Sequence, residues 1–205
     1  MQKYACTILI YLDNNATTRP LQVVTEAHAE AQSSYWANSA SPHGLGLEAR
    51  RALQASKCSI GVAMGCHSSE LLITSGATES NNLALVGVYM AEQLRRSPRR
   101  GVLVSAIEHP SVLETADSLK ANGAVVERIK VNSQGQLDLT DLSSKLSQDT
   151  LLVSVMAANN EVGTLQPIEE VAQACHDFGA FFHSDATQWL GRLPLNVTKL
   201  GVDLL

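Results

Sequence analysis

Short runs of apolar, β-branched residues alternate along most of this chain with longer segments whose apolar positions recur every three or four residues. The short runs fall at 70–75, 101–106, 124–131, 150–156 and 180–184, and each has the length of a strand. Between the first two, Leu83, Val86, Met90, Ala91 and Leu94 repeat at helical spacing. They predict a helix over 80–95 whose apolar stripe covers one face of a sheet. Pro110 suits the first position of the next helix, and Asn122-Gly123 suits its end. Further helices are predicted over 139–146 and 168–178. Strands that alternate with helices in this way predict an α/β fold: three layers, with a mostly parallel sheet flanked by helices.

The first 69 residues read differently. Helices are predicted over 21–33 and 45–65, separated by a polar, turn-rich stretch at 38–44. Ahead of them Thr7-Ile8-Leu9-Ile10-Tyr11-Leu12 predicts a short entering strand, since it is too brief for a signal-peptide core and runs into Asp13. No repeat, low-complexity tract or Pro/Gly/Ser linker interrupts residues 35–205. The expected organisation is an N-terminal arm, residues 1–34, and one larger domain, residues 35–205.

Composition narrows the classes. With 45% hydrophobic residues, 17% charged residues and a net charge of -5, the chain has the apolar content for a core and lacks the basic surface that nucleic acid or an anionic membrane needs. Its densest basic run, Arg95, Arg96, Arg99 and Arg100, fits a helix end, where cations complement the dipole. No window approaches the roughly 20 apolar residues of a spanning helix. Cys6, Cys58, Cys66 and Cys175 form no CxxC pair, which argues against a disulfide framework or a zinc knuckle and for a reducing compartment.

Four segments carry candidate chemistry, each at the carboxyl end of an expected strand. Thr74-Ser75-Gly76-Ala77-Thr78-Glu79-Ser80-Asn81-Asn82 lies where a strand gives way to a helix, and free amides at a helix N-terminus bind anions. The same residues also suit a plain helix cap. Phe181-Phe182-His183-Ser184-Asp185-Ala186-Thr187-Gln188 brings a carboxylate to the edge where parallel sheets bind ligands. Asp185 there suits either the protonated ring nitrogen of a heteroaromatic cofactor or a helix cap. Ala157-Ala158-Asn159-Asn160-Glu161-Val162-Gly163-Thr164 reads as a tight, ligand-facing turn or merely a tight turn. In Ile107-Glu108-His109-Pro110-Ser111, His109 suits stacking on a flat ring, proton transfer or a structural role.

Taken in order, these segments resemble the cysteine desulfurases of the class V aminotransferase group, pyridoxal 5'-phosphate (PLP) enzymes of fold type I. The resemblance runs through Asp13-Asn14-Asn15-Ala16-Thr17-Thr18, Ser75-Gly76-Ala77-Thr78-Glu79-Ser80-Asn81-Asn82, Glu108-His109, Asn159-Asn160-Glu161-Val162-Gly163 and His183-Ser184-Asp185-Ala186-Thr187-Gln188. It implies that Ala77 and Thr78 bind the PLP phosphate, that His109 stacks on the pyridine ring and assists proton transfer, and that Asp185 keeps the ring nitrogen protonated. Asn160 and Gln188 are implied near the ring hydroxyl. The implied reaction takes sulfur from L-cysteine onto a protein cysteine as a persulfide, leaves alanine, and passes the sulfur to an acceptor protein for iron-sulfur or thio-cofactor assembly. A cytoplasmic homodimer with no nucleic acid and no membrane is implied as well.

The resemblance also implies absences. The family's cofactor lysine sits in a Ser-x-His-Lys segment expected just beyond Leu205, and its persulfide cysteine in a later mobile loop. None of Lys3, Lys57, Lys120, Lys130, Lys145 and Lys199 has that context, and Cys58, Cys66 and Cys175 fall within apolar helical patterns where buried structural thiols are expected. Residues 1–34 are then expected to pack with a small domain outside this sequence, and 35–205 to be a large PLP domain cut before its lysine. Such a chain is expected to be inactive alone and to expose apolar surface. A truncated non-catalytic remnant, a selenocysteine lyase and another class V PLP enzyme stay open. Two departures stand out: Ser39 replaces a usual proline, and Ser184 replaces a usual valine and is expected to adjust the hydrogen bonding of Asp185.

Overall fold

The computed structural model describes residues 10–205. Lys3, Cys6 and the first half of the expected entering strand lie outside the described residues, and residues 10–12 have no regular structure. The chain forms two compact units, Met1–Arg50 and Arg51–Leu205.

The first unit contains α1 (Gln22–Ser34), which buries none of its side chains. It also holds the start of α2 (Gly44–Met64), the helix that crosses from one unit to the other. Before α2 the chain turns on itself: Ser41 N donates to Asn38 O at 3.0 Å, and Ala40 N to Asn38 Oδ1 at 2.8 Å. Gly46 belongs to this turn, because a Cβ there would stand 2.5 Å from Ser41 O. Ile10, Leu12, Leu21 and Trp36 of this unit are exposed.

The second unit is built on four parallel strands in the order β2-β1-β3-β4. They are β1 (Gly101–Ser105), β2 (Val125–Ile129), β3 (Thr150–Ser154) and β4 (Phe181–His183). One core lies against α3 (Ala77–Leu94) and α4 (Pro110–Leu119), where Val102, Val104 and Leu152 pack with Leu85, Tyr89, Val112 and Ala116. On the other face Leu103, Val153 and Phe182 pack with Leu142 of α5 (Leu139–Lys145) and with Val171 and Cys175 of α6 (Ile168–Asp177). Successive residues of β1 therefore feed two cores, Val102 and Val104 one and Leu103 the other, giving the expected three layers. A fully buried Leu, Val or Phe contributes about 1.5–3 kcal/mol here.

Three expectations need correction. Residues 70–75 form no strand: a short 3-10 helix, Ser68–Glu70, leads into an extended segment in which Leu72 and Ile73 are exposed. An apolar run becomes a strand only beside a partner, and no described strand lies alongside it. Second, α3 starts at Ala77 and packs through Asn81, Leu85 and Tyr89, while Leu83, Met90 and Leu94 are exposed. The helix carries two apolar stripes, and the one headed by a polar residue faces inward. Third, Cys58 is exposed, and Cys66 lies beyond the end of α2; only Cys175 is buried as expected.

The remaining elements follow their local chemistry. The α4 helix runs into a 3-10 turn, Lys120–Asn122, and stops at Gly123, whose φ of 88° is left-handed. Asn196 caps a short α7 (Val197–Leu200), and Leu204 then bridges in parallel to His183, extending the sheet beyond β4.

Candidate functional site

The strand order reverses between β1 and β3: the chain goes outward from β1 to β2, then returns to the other side of β1. Open parallel sheets bind ligands in the crevice at such a switch point, beyond the carboxyl ends of the strands. His109 follows β1, Asn159 and Asn160 follow β3, and Asp185 follows β4, so all stand at that edge.

The N-terminus of α3 is open. Gly76 precedes it with no side-chain cap, and a Cβ on Gly76 would meet nothing within 4 Å. Glu79 folds back so that its Oε2 accepts from Ser75 N at 2.7 Å and Ser75 Oγ at 2.5 Å. Those Ser75 bonds hold its carboxyl below the usual carboxylate range. Thr74 Oγ1 and Ser80 Oγ share a hydrogen bond of 2.7 Å. The turn is thus braced from the sides, leaving the amides of Ala77 and Thr78 at the head of the helix dipole.

One turn further along α3, the buried Asn81 joins two of the expected site residues. Its Nδ2 donates to Asp185 Oδ2 at 2.8 Å and to Ser111 Oγ at 3.0 Å. Ser111 Oγ in turn lies 2.8 Å from His109 Nδ1, and Ser111 N donates to the same nitrogen at 3.1 Å. His109 caps α4 in this way, with Pro110 as the first helical residue. Asp185 Oδ1 accepts from Thr187 N at 2.9 Å. Burial alone would raise the Asp185 carboxyl, but the Thr187 hydroxyl and amide and the Asn81 amide outweigh it, and the group is held below its ordinary value.

Around this line lie groups whose roles the sequence did not disclose. Glu108 is buried, with Oε1 accepting from Met156 N at 2.6 Å and Oε2 bound to nothing. Burial drives its carboxyl well above the ordinary value, and the nearby Asp185 adds to the rise. His183, wholly buried, shares a 2.8 Å bond with Ser154 Oγ; burial pushes its imidazole down to about 4. Asn159 builds the β3 turn: its Oδ1 accepts from Glu161 N and Val162 N, and its Nδ2 reaches Ile107 O at 3.1 Å. Asn160 follows at the tip, half-buried. Gln188 lies three residues past Asp185, its carbonyl accepting from Arg192 Nη1 at 3.3 Å. The Ser184 hydroxyl donates to Val155 O at 2.8 Å rather than to Asp185, a correction to the expected adjustment.

The aminotransferase class-V family model matches residues 10–205. The chain belongs to this family. Among its relatives, the class-V chain is 39% identical over 196 residues to a cysteine desulfurase IscS of Dictyoglomus turgidum, covering 96% of this chain and 49% of the relative. It spans about half the length of the curated relatives it matches. Of solved structures, a NifS-like protein superimposes with a TM-score of 0.90 at 37% identity, over 96% of this chain and 53% of that one. A second, SspA in complex with cysteine, gives 0.88 at 30% identity, over 94% and 55%. The class-V chain therefore has the expected α/β architecture, a parallel sheet flanked by helices.

Among the described residues, no group of three or more His, Cys, Asp or Glu is placed to hold a metal ion, and no helix is long and apolar enough to cross a membrane.

Proposed function

We propose that this chain forms the cofactor wall of a PLP-dependent cysteine desulfurase. The observation that carries the reading is the buried Asp185 carboxylate, held ionised by Asn81 and Thr187 with no cation bonded to it among the described residues, at the same sheet edge as an uncapped helix N-terminus. A buried anion that keeps its charge suits a cationic ring N–H, and an open set of helix amides suits a phosphate. The residues fit PLP. Similarity to cysteine desulfurases supports the same reading.

Bound PLP supplies an electron-accepting ring that weakens bonds at the substrate's carbons. The chain's own residues have the following parts. The Ala77 and Thr78 amides receive the phosphate at the head of α3. Asp185 holds the proton on the ring nitrogen, which keeps the ring a strong acceptor. His109 would stack on the ring and would handle a proton at Nε2, because Nδ1 is taken up by Ser111. Asn160 and Gln188 flank the ring hydroxyl. The cofactor lysine and the persulfide cysteine are assigned to sequence outside residues 1–205.

L-Cysteine is the substrate, a sulfur-acceptor protein the partner, a homodimer the assembly and the cytoplasm the location in this proposal. Residues 1–34 serve as an arm against a small domain, and 35–205 as the large domain. The test is alanine formation from L-cysteine by the intact protein that contains these residues, with an added dithiol reducing the persulfide sulfur to sulfide for detection. Turnover that requires PLP and disappears in Asp185→Ala supports the assignment; PLP-loaded protein that forms no alanine refutes it.

A further inference from the structure

Asn81 and Ser111 stand between Asp185 and His109, joined to them by a continuous line of hydrogen bonds. Ionised Asp185 accepts only, so Asn81 must turn its amide nitrogen toward it. The same nitrogen gives its second hydrogen to Ser111 Oγ at 3.0 Å. Ser111 Oγ keeps its own hydroxyl hydrogen to give, and His109 Nδ1 lies 2.8 Å from it. That nitrogen also receives Ser111 N–H at 3.1 Å. Two donors aimed at one ring nitrogen leave no room for a proton there.

We propose that Asn81 and Ser111 are positioning residues that lock His109 as the Nε2–H tautomer, so that the ring presents a donor at Nε2. The Asp185 carboxylate, two side chains away, orients Asn81 and the Ser111 hydroxyl, which acts on Nδ1 beside the Ser111 amide. Asn81 and Ser111 are both buried, and Thr115 Oγ1 donates to Asn82 Oδ1 at 2.8 Å, tying α4 to α3 beside the line. Rigid packing of the two helices keeps the three links in register, which exposed hydroxyls and amides would not do.

The consequence for the site rests on the proposed PLP reading, since the locked tautomer matters there as a fixed donor over the ring. The tautomer itself does not depend on that reading. The test is the nitrogen-15 spectrum of His109 in the full chain, recorded without cofactor, for wild type, Ser111→Ala, Ser111→Thr and Asn81→Leu. Wild type is expected to show one form, with Nδ1 bare and Nε2 protonated. Ser111→Ala and Asn81→Leu are expected to shift both ring signals toward a mixture of tautomers, and Ser111→Thr, which keeps the hydroxyl, to restore the wild-type pattern. Amide signals of Leu103 and Val153 in the sheet core report that each variant is folded. Unchanged ring signals in both Ser111→Ala and Asn81→Leu, or a wild-type ring protonated at Nδ1, overturn the proposal. Failure of PLP to bind would count against the cofactor reading while leaving this result as it stands.

Discussion

Ser154 Oγ and His183 Nδ1 lie 2.8 Å apart on neighbouring strands, both side chains sealed from solvent. Burial holds His183 down to about 4 against an ordinary 6.5, so the folded chain resists a proton that the unfolded chain accepts. Its contribution to stability is complete above 6.5 and is lost as pH falls through about 4. Glu108 has the opposite sign: burial raises its carboxyl above 4.5, so its contribution is complete below 4.5 and is lost as pH rises through the folded value.

The two slopes offset each other where their windows overlap, which gives the first prediction. Denaturant titrations from pH 6.5 down to 4.5 should show a shallow dependence in wild type. Glu108→Gln should expose the His183 slope, a loss approaching about 1.4 kcal/mol per pH unit, and His183→Asn should expose stability rising as pH falls. Equal pH profiles for all three proteins would contradict the assignment.

Arg99 supplies the second prediction. Its guanidinium donates to Phe178 O at 3.1 Å and to Gly179 O, the carbonyls at the end of α6, and reaches Thr150 O at 3.4 Å. Charge-assisted bonds to helix-end carbonyls are worth about 1.5–3 kcal/mol. Arg99→Ala should lower the unfolding free energy by about that much, and Arg99→Lys by less, whereas Arg96→Ala at the end of α3 should change it by under about 0.5 kcal/mol.

Thiol chemistry separates the described cysteines. Burial pushes the Cys175 thiol up to about 12, while Cys58 is exposed. Alkylation of the folded chain near pH 8 should modify Cys58 first and Cys175 only after denaturant is added, as peptide mass mapping will record. Modification of Cys175 at the rate of Cys58 would contradict its burial.

None of the six lysines stands in the Ser-x-His-Lys pattern that the resemblance implies for the cofactor lysine. Lys120 pairs with Asp117 at 2.7 Å, and Lys145 with Asp141 and the carbonyl of Arg128, the latter at 2.8 Å. Borohydride reduction of this chain in the presence of PLP should therefore leave no stoichiometric adduct at any of them. A single fully labelled lysine in the mass spectrum would contradict the assignment of the anchoring lysine to sequence outside residues 1–205.

Much of this was legible because local signals and tertiary structure agreed. Pro110 and Gly123 bounded α4 and its 3-10 extension, and the runs at 101–106, 124–131, 150–156 and 180–184 became the four strands. The placement of His109, Asn160 and Asp185 at one sheet edge follows from strand-end position, whereas the head of α3 follows no described strand and is tied to that edge by the Asn81–Asp185 bond. What stayed hidden depends on partners distant in sequence. Leu72 and Ile73 looked like strand residues but have no described neighbour strand. Asn81 stood in the candidate segment 74–82 with no role of its own, yet it faces inward, where Asp185, 104 residues away, accepts its amide. A further sequence clue was its place one turn before Leu85 and two before Tyr89, as the polar member of an otherwise apolar stripe.

The most direct measurement of the cofactor wall is equilibrium dialysis of PLP against this chain, with pyridoxal as the phosphate-free control and Asp185→Ala as the ring-side control. The account predicts saturable retention of PLP, with pyridoxal and the Asp185→Ala variant each weaker by about tenfold or more, or ~1.4 kcal/mol. Equal retention of PLP and pyridoxal, or undiminished retention by Asp185→Ala, would contradict it.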